Sequence, residues 1–351
     1  MFSFCTILNS EEHSISNLPI HILDKILVKL SGKDLISLLA VSTSFNFAIA
    51  SSNKFMSKIR LKAHSERTRV CVLQCSNRKY QHLSFDDQHQ CSDNFMESTK
   101  FQWKTIKIQN MILSNKLRSF INNFSKTLET LEYCNVSIDY KDYGVHNSSF
   151  PKLKTLIISG DACDASFIFL ALMKGITATV QELKIPQNAL VFLFDELLVN
   201  RPNLKKLHLS TPSLNRLLDV QNSLLLYKDC LEELTVEMLN NNATKFIWIE
   251  MTSLKKVTLR ACCSMFKASR SFILPDNNNI KEVIVHNNSV PFQVYEKIVN
   301  ATKQLNILEI HHYKKDYQKQ KSGTKYNGPE MRCCLRKRLF IKASKRSIVN
   351  N

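Results

Sequence analysis

Residues 204–210 read Leu-Lys-Lys-Leu-His-Leu-Ser, and the outline they open returns down the chain at a near-fixed interval. Leu207 and Leu209 alternate with polar neighbours, the two-residue period of a strand with one buried face; Leu204 stands three residues ahead, where the chain enters it. The same outline occupies Leu128–Tyr133, Leu153–Ile158, Val180–Ile185, Leu231–Val236, Leu254–Leu259, Ile280–Val285 and Leu305–Ile310. Successive starts lie 25, 27, 24, 27, 23, 26 and 25 residues apart. Looser versions precede them at Tyr80–Phe85 and Trp103–Ile108. One such strand cannot bury its apolar face alone, so the copies must stack into a parallel sheet with a shared core. An ordinary α/β domain with several leucine-rich strands has no reason to space eight of them so evenly.

The outline resembles the leucine-rich repeat. Between strands the spacing predicts helices: Leu117, Phe120, Ile121 and Phe124 share one face, as do Leu190, Leu193, Phe194, Leu197 and Leu198. Leu214, Leu217 and Leu218 form another, and Tyr295, Ile298 and Val299 a fourth. Asn188, Cys262 and Asn288 each lie eight residues past an opening apolar position, where such repeats place Asn or Cys to satisfy backbone groups at the bend. The fold class expected is mixed α/β: a curved solenoid with parallel strands on the concave face and helices on the convex one.

Length alone would suggest two or three domains for 351 residues, but a solenoid grows by addition rather than by splitting. A hydrophobic share of 44% with 22% charged residues is that of a folded soluble protein. The formal charge of +18 is unevenly placed. Residues 313–351 hold twelve Lys or Arg against Asp316 and Glu330, a net +10 that leaves +8 for the other 312 residues. Met1–His13 lacks the basic start and apolar run of a secretory signal, and no apolar stretch is long enough to cross a bilayer. The eleven cysteines are scattered without a C-x-x-C pair, which points to neither a disulfide framework nor a metal site. The compartment expected is cytosol or nucleus.

Ahead of the repeats, Ser16 to Leu61 reads as three short helices. Pro19 suits a helix start, and Ile22, Leu23, Ile26, Leu27 and Leu30 follow at helical spacing up to Gly32, read as the closing residue. Leu35, Leu38, Val41 and Phe45 make a second amphipathic run; Phe47, Ile49, Phe55, Met56 and Ile59 make a third. A module of about 45 residues cannot bury all of this internally, and leftover apolar surface on so small a unit marks a docking site.

Residues 18–45 resemble the F-box. They supply Leu18, Pro19, the paired aliphatics Ile22–Leu23 and Ile26–Leu27, then Leu30, Lys33-Asp34-Leu35, Leu38 and Val41 without a gap. They depart at His21 (often Glu), Gly32 (often Pro), Ser42 (usually Cys) and Phe45 (usually Trp). The resemblance implies binding to the Skp adaptor of SCF-type cullin–RING ubiquitin ligases through Leu18, Pro19, Ile22, Leu23, Ile26, Leu35, Leu38, Val41 and Phe45. On this division the chain comprises an extension (1–15), the F-box (16–61), a linker with an irregular first repeat (62–100), the solenoid (101–312) and a basic tail without regular structure (313–351).

Residues between the buried leucines must face the other way. Those expected to contact a target are Lys206, His208, Glu233, Thr235, Lys256, Thr258, Arg260, Glu282, His286, Glu309 and His311. Their mixed signs favour a protein partner over a polyanion, since phosphate binding wants one sign. Gly-rich phosphate loops, nucleophile elbows and metal-ligand clusters are not found, so no cofactor or catalysis is expected of the chain itself. The expected role is a non-catalytic substrate receptor, holding a target protein beside the ligase and raising the effective concentration of its lysines. The alternatives are a repeat scaffold without ubiquitin transfer, and nucleic-acid association through Arg332–Arg338 of the tail.

Overall fold

The computed structural model describes residues 18–63, 78–86, 101–138, 149–160, 164, 167–168, 172, 179–186, 203–210, 221–222, 224–237, 241–260, 274–286, 292–314, 333–341 and 348–350. The chain forms two compact units, Met1–Leu153 and Lys154–Asn351. The architecture is mixed α/β: a helical module, then parallel strands in a repeat.

In the first unit, helices α1 (Ile20–Leu27), α2 (Gly32–Leu39), α3 (Thr43–Ser51) and α4 (Asn53–Met56) precede strands β1 (Arg60–Ala63), β2 (His82–Asp86) and β3 (Thr105–Gln109). The short β4 (Ile112–Leu113), helix α5 (Asn115–Asn123), β5 (Thr130–Cys134) and β6 (Ser137–Ile138) follow. Strands β1, β2, β3 and β5 pair side by side, all parallel, and β4 pairs with β6. Each crossover therefore advances one strand at a time. The span expected to hold a linker and an irregular first repeat contains β2, at the looser outline Tyr80–Phe85 and in register with both neighbours, while β1 straddles the expected boundary at Leu61.

Two bends in this unit use left-handed asparagines: Asn110 at φ 54° and Asn135 at φ 52°. Asparagine tolerates this conformation because its short amide bonds locally. Here the Asn110 N–H donates to the Cys134 carbonyl (2.9 Å), and Asn135 Nδ2 donates to Asn110 Oδ1 (3.2 Å). Both stand one residue earlier in the repeat than the position read from the sequence. Asn188, Cys262 and Asn288 lie outside the described residues.

The second unit carries β7 (Thr155–Ser159), β8 (Glu182–Pro186), β9 (Lys206–Ser210), β10 (Glu233–Glu237), β11 (Lys256–Arg260), β12 (Glu282–His286) and β13 (Ile307–Lys314), again paired parallel in chain order. Helices α6 (Asn241–Glu250) and α7 (Phe292–Ala301) lie between strands. The pairing stacks like on like: Leu183, Leu207, Leu234, Val257, Val283 and Leu308 share one register row, and Ile185, Leu209, Val236, Leu259, Val285 and Ile310 another. All of these are buried, as are the openers Leu204, Leu231, Leu254, Ile280 and Leu305. At full burial each such side chain contributes roughly 1.5–3 kcal/mol. A backbone ladder runs along the strand entries: the N–H groups of Lys205, Glu232, Lys255, Lys281 and Asn306 donate to the carbonyls of Gln181, Lys205, Glu232, Lys255 and Lys281, at 2.8–2.9 Å.

Between strands, Leu117, Phe120 and Ile121 are buried on α5, and Ile298 on α7, as their spacing predicts. The expected helical faces at 190–198 and 214–218 lie outside the described residues. The last strand differs from expectation. From Tyr313 the sequence suggests no regular structure, yet β13 continues to Lys314 and pairs antiparallel with β14 (Cys333–Ile341), which pairs with β15 (Ile348–Asn350). A terminal strand offers unpaired backbone groups along its edge. Cys333–Ile341 has the two-residue apolar period, at Leu335, Leu339 and Ile341, to take them up.

Candidate functional site

The helical module closes a core of its own. Leu23, Leu27, Leu35, Phe45, Ala48, Ile49, Phe55, Met56 and Ile59 are buried together, with Val28, Leu30, Leu38, Leu39 and Tyr80 packed against them. Its helix starts are set by local chemistry. The Ser31 side chain accepts from the Asp34 N–H while the Asp34 carboxylate accepts from the Ser31 N–H (3.1 Å), a reciprocal cap. Those bonds from Ser31 hold the Asp34 carboxyl below its ordinary range. Ser42 Oγ accepts from the Phe45 N–H at 3.2 Å, so the residue that departs from the usual Cys is the cap of α3.

Gly32 plays a different part from the one read in the sequence. It does not end α1 in a left-handed conformation; it is the first residue of α2. A Cβ there would stand 2.1 Å from the Lys58 carbonyl oxygen, so only glycine lets the α1–α2 turn lie against the segment leaving α4. Lys58 fastens the same joint from the other side: its Nζ donates to the carbonyls of Val28 (2.6 Å) and Leu30 (3.0 Å), where α1 ends and its dipole is negative. Arg78, just before β2, donates to Asn46 of α3 at 3.1 Å and to the Tyr80 hydroxyl at 3.2 Å. The module is therefore joined to the first strands by polar bonds and by the packing of Tyr80.

Apolar surface remains. Leu18 is 36% exposed, Ile26 42%, Ile36 47%, Val41 68% and Phe47 75%. Ile22 and Ile26 stand one turn apart on α1, on a line beside the buried Leu23 and Leu27, and Leu18 lies just ahead of the helix. The sequence-predicted adaptor residues thus divide. Leu18, Pro19, Ile26 and Val41 are exposed, Ile22 and Leu38 are half-buried, and Leu23, Leu35 and Phe45 lie in the module's own core. Amphipathic spacing alone does not say which apolar residues face inward and which outward. Two further apolar side chains are exposed that were not among the expected adaptor residues: Ile36, directly after buried Leu35, and Phe47, two residues past buried Phe45. Their offset from the buried positions is the signal that could have found them.

The second unit presents the other candidate surface. Glu182, Lys206, Glu233, Lys256 and Glu282 open successive strands in one register row. Lys206 pairs with Glu233 at 2.7 Å and Lys256 with Glu282 at 3.0 Å. The bond to Glu233 raises the Lys206 ammonium above its ordinary value. At the strand entries Lys255 meets Glu232 at 2.9 Å, which lowers the Glu232 carboxyl. A parallel row holds Lys184, His208, Thr235, Thr258, Ile284 and Glu309. Of the expected target residues, Lys206 and Arg260 are exposed, and His208, Glu233, Thr235, Lys256, Glu282 and His286 half-buried. Thr258 and Glu309 are buried, Glu309 to 2% exposure, with Arg338 of β14 opposite it in register. Of His311 the structure describes only the backbone, opposite His286 and Arg336.

Among the described residues no group of three His, Cys, Asp or Glu is placed to hold a metal ion, and no helix is long and apolar enough to cross a membrane. The module's capped helices and open apolar side chains have a counterpart among known families: residues 15–57 match the F-box domain. The chain thus carries an F-box domain, and the strands that follow it form a solenoid-like parallel repeat. F-box domains bind Skp-type adaptors of cullin–RING ligases, and F-box proteins are in general non-catalytic adaptors that present substrates. No match was found among curated proteins.

Proposed function

We propose that the chain is the substrate-recognition subunit of an SCF-type ubiquitin ligase, acting in cytosol or nucleus. Its F-box docks on the Skp adaptor and the exposed face of the second unit takes a target protein. The observation that carries this reading is the state of the helical module. Its core is sealed by its own residues and by Tyr80, yet Leu18, Ile26, Ile36, Val41 and Phe47 stay open to solvent. Burying several such side chains in a partner's groove would contribute roughly 1.5–3 kcal/mol each before the cost of association. The chain itself transfers nothing; it supplies proximity.

The test is co-purification with the Skp adaptor and a cullin. The intact protein is expected to recover both. Val41→Asp combined with Phe47→Asp should lower adaptor recovery at least tenfold, and Leu18→Ala with Pro19→Ala should lower it less, all without a change in melting temperature. An intact chain that recovers neither subunit sinks the proposal. Recovery of both with a bound target whose abundance ignores loss of the protein would instead support a scaffold.

A further inference from the structure

Residues 1–17, which lie outside the described residues, have a composition that the proposed function does not use. Met1, Phe2, Phe4, Cys5, Ile7 and Leu8 make six of the first eight apolar, and the first ten carry no charged side chain. Glu11 and Glu12 follow, and residues 9–17 lead directly into Leu18. The module offers a complement at that point. Leu18 is 36% exposed and Ile26 42%, with Ile22 half-buried between them. At helical spacing Lys25 and Lys29 flank this line on the side away from the buried Leu23 and Leu27. Both lysines are exposed, and neither makes an ion pair among the described residues. The charges match as well: residues 18–59 hold five lysines against Asp24 and Asp34, a net +3, whereas residues 1–17 carry −2.

We propose that residues 2–8 fold back over the open line of α1 and compete with the adaptor for it, with Glu11 and Glu12 set against Lys25 and Lys29. The inference rests on the adaptor docking proposed above and gives that contact a regulator, the chain's own leading segment. The reach is sufficient. Residues 9–17 can span up to about 30 Å, while the eight residues of α1 extend only about 12 Å. A tether this short holds the segment at an effective concentration in the millimolar range, far above that of a second chain in dilute solution. Burying Phe2, Phe4, Ile7 and Leu8 against Leu18 and Ile26 takes apolar surface of both partners out of water, as the adaptor would. A cover closed nine-tenths of the time lowers the apparent affinity for the adaptor about tenfold.

The full-length chain is prepared with a photo-crosslinking benzoylphenylalanine replacing Phe4, irradiated alone, and its cross-linked peptides are mapped by mass spectrometry. Cross-links should fall within residues 18–29 of the same chain, at a yield independent of protein concentration. That yield should drop at least fivefold in Ile26→Asp, or when purified Skp adaptor is added in excess. Lys25→Glu with Lys29→Glu, expected to lose about threefold, keeps the test valid should Ile26→Asp fail to fold. In a calorimetric titration without the crosslinker, the variant with Phe2→Ser, Phe4→Ser, Ile7→Ser and Leu8→Ser should bind the adaptor about ten times more tightly than the intact chain. Glu11→Lys with Glu12→Lys should tighten it about threefold. Adaptor binding that is unchanged or weakened by the four serines overturns the proposal, as do cross-links confined to other parts of the chain. Cross-links between two chains, rising with concentration, give the line to a second copy and overturn it equally. An adaptor bound alike by both chains, with no cross-link to α1, sinks this inference alone. Cross-links to α1 in a chain that binds no adaptor, with or without the serines, leave the fold-back standing and remove the ligase.

Discussion

The helical module and the strand repeats of the second unit treat leucine-like residues in opposite ways. In the repeats, each opener and each inward strand position from Leu204 to Ile310 is buried. In the module, Leu18, Ile26, Ile36, Val41 and Phe47 remain exposed although the same chain seals Leu27, Leu35 and Ile49 a few residues away. A chain able to bury its apolar side chains so thoroughly in one region has left them out in the other. Single exposed apolar residues need no explanation, but five within thirty residues of a small module are the exposure on which the proposed adaptor docking rests.

The comparison can be broken by substitution. Leu234→Ala removes a side chain buried in the middle of a register row and should destabilise the protein by about 2–5 kcal/mol, read by denaturant unfolding. Val41→Ala should cost less than about 0.5 kcal/mol in the same measurement. Equal losses at the two sites would erase the distinction. Gly32→Ala comes next: the new Cβ meets a backbone oxygen that cannot swing aside, and a loss of about 1–3 kcal/mol is expected, with faster amide exchange in α2.

A smaller effect sharpens the joint between module and strands. Burial, then Arg60 and Lys104, lower the His82 imidazole below its ordinary 6.5, against a hydrogen bond to Ser57 that raises it. The folded protein then binds fewer protons than the unfolded chain just below pH 6.5, so stability falls as pH drops from there toward the folded value. The thermal midpoint should decline between pH 7 and 5.5, and His82→Gln should flatten part of that slope. A midpoint slope unchanged by His82→Gln would show that other groups carry it. The smallest effect concerns the exposed ion pairs. A double-mutant cycle on Lys206 and Glu233 should return only about 0.2–1 kcal/mol, shrinking with salt.

The repeats were legible because a strand's period of two and a repeat of about 25 residues are both written in apolar positions, and pairing like with like leaves no rival register. Helix α6 was not legible. Phe246, Ile247, Trp248 and Ile249 run together instead of recurring three and four apart, so nothing in the pattern marks which of them turn inward. In the module the same limit acted on orientation: Leu23, Leu35 and Phe45 read as contacts and proved to be core, while Ile36 and Phe47 did not read as contacts and lie open. Gly32 was misread because its reason is a neighbour 26 residues away, the Lys58 carbonyl, which no local rule can see. The strand β14 was hidden by its charge. A run of Arg and Lys suggests solvent, but an edge strand needs only backbone groups and alternate apolar residues to pair.

The ladder of N–H groups at the strand entries has a consequence for how such a chain can change over time. Every rung is clamped to the one before it, so a residue gained or lost within a rung would throw its leucines into water and its lysines into the core. A residue gained or lost between rungs merely lengthens or shortens a loop, as the intervals from 23 to 27 attest. Insertions are therefore cheap in the connections and ruinous in the strands, and the exposed rows can be rewritten one side chain at a time while the staircase beneath them stays the same.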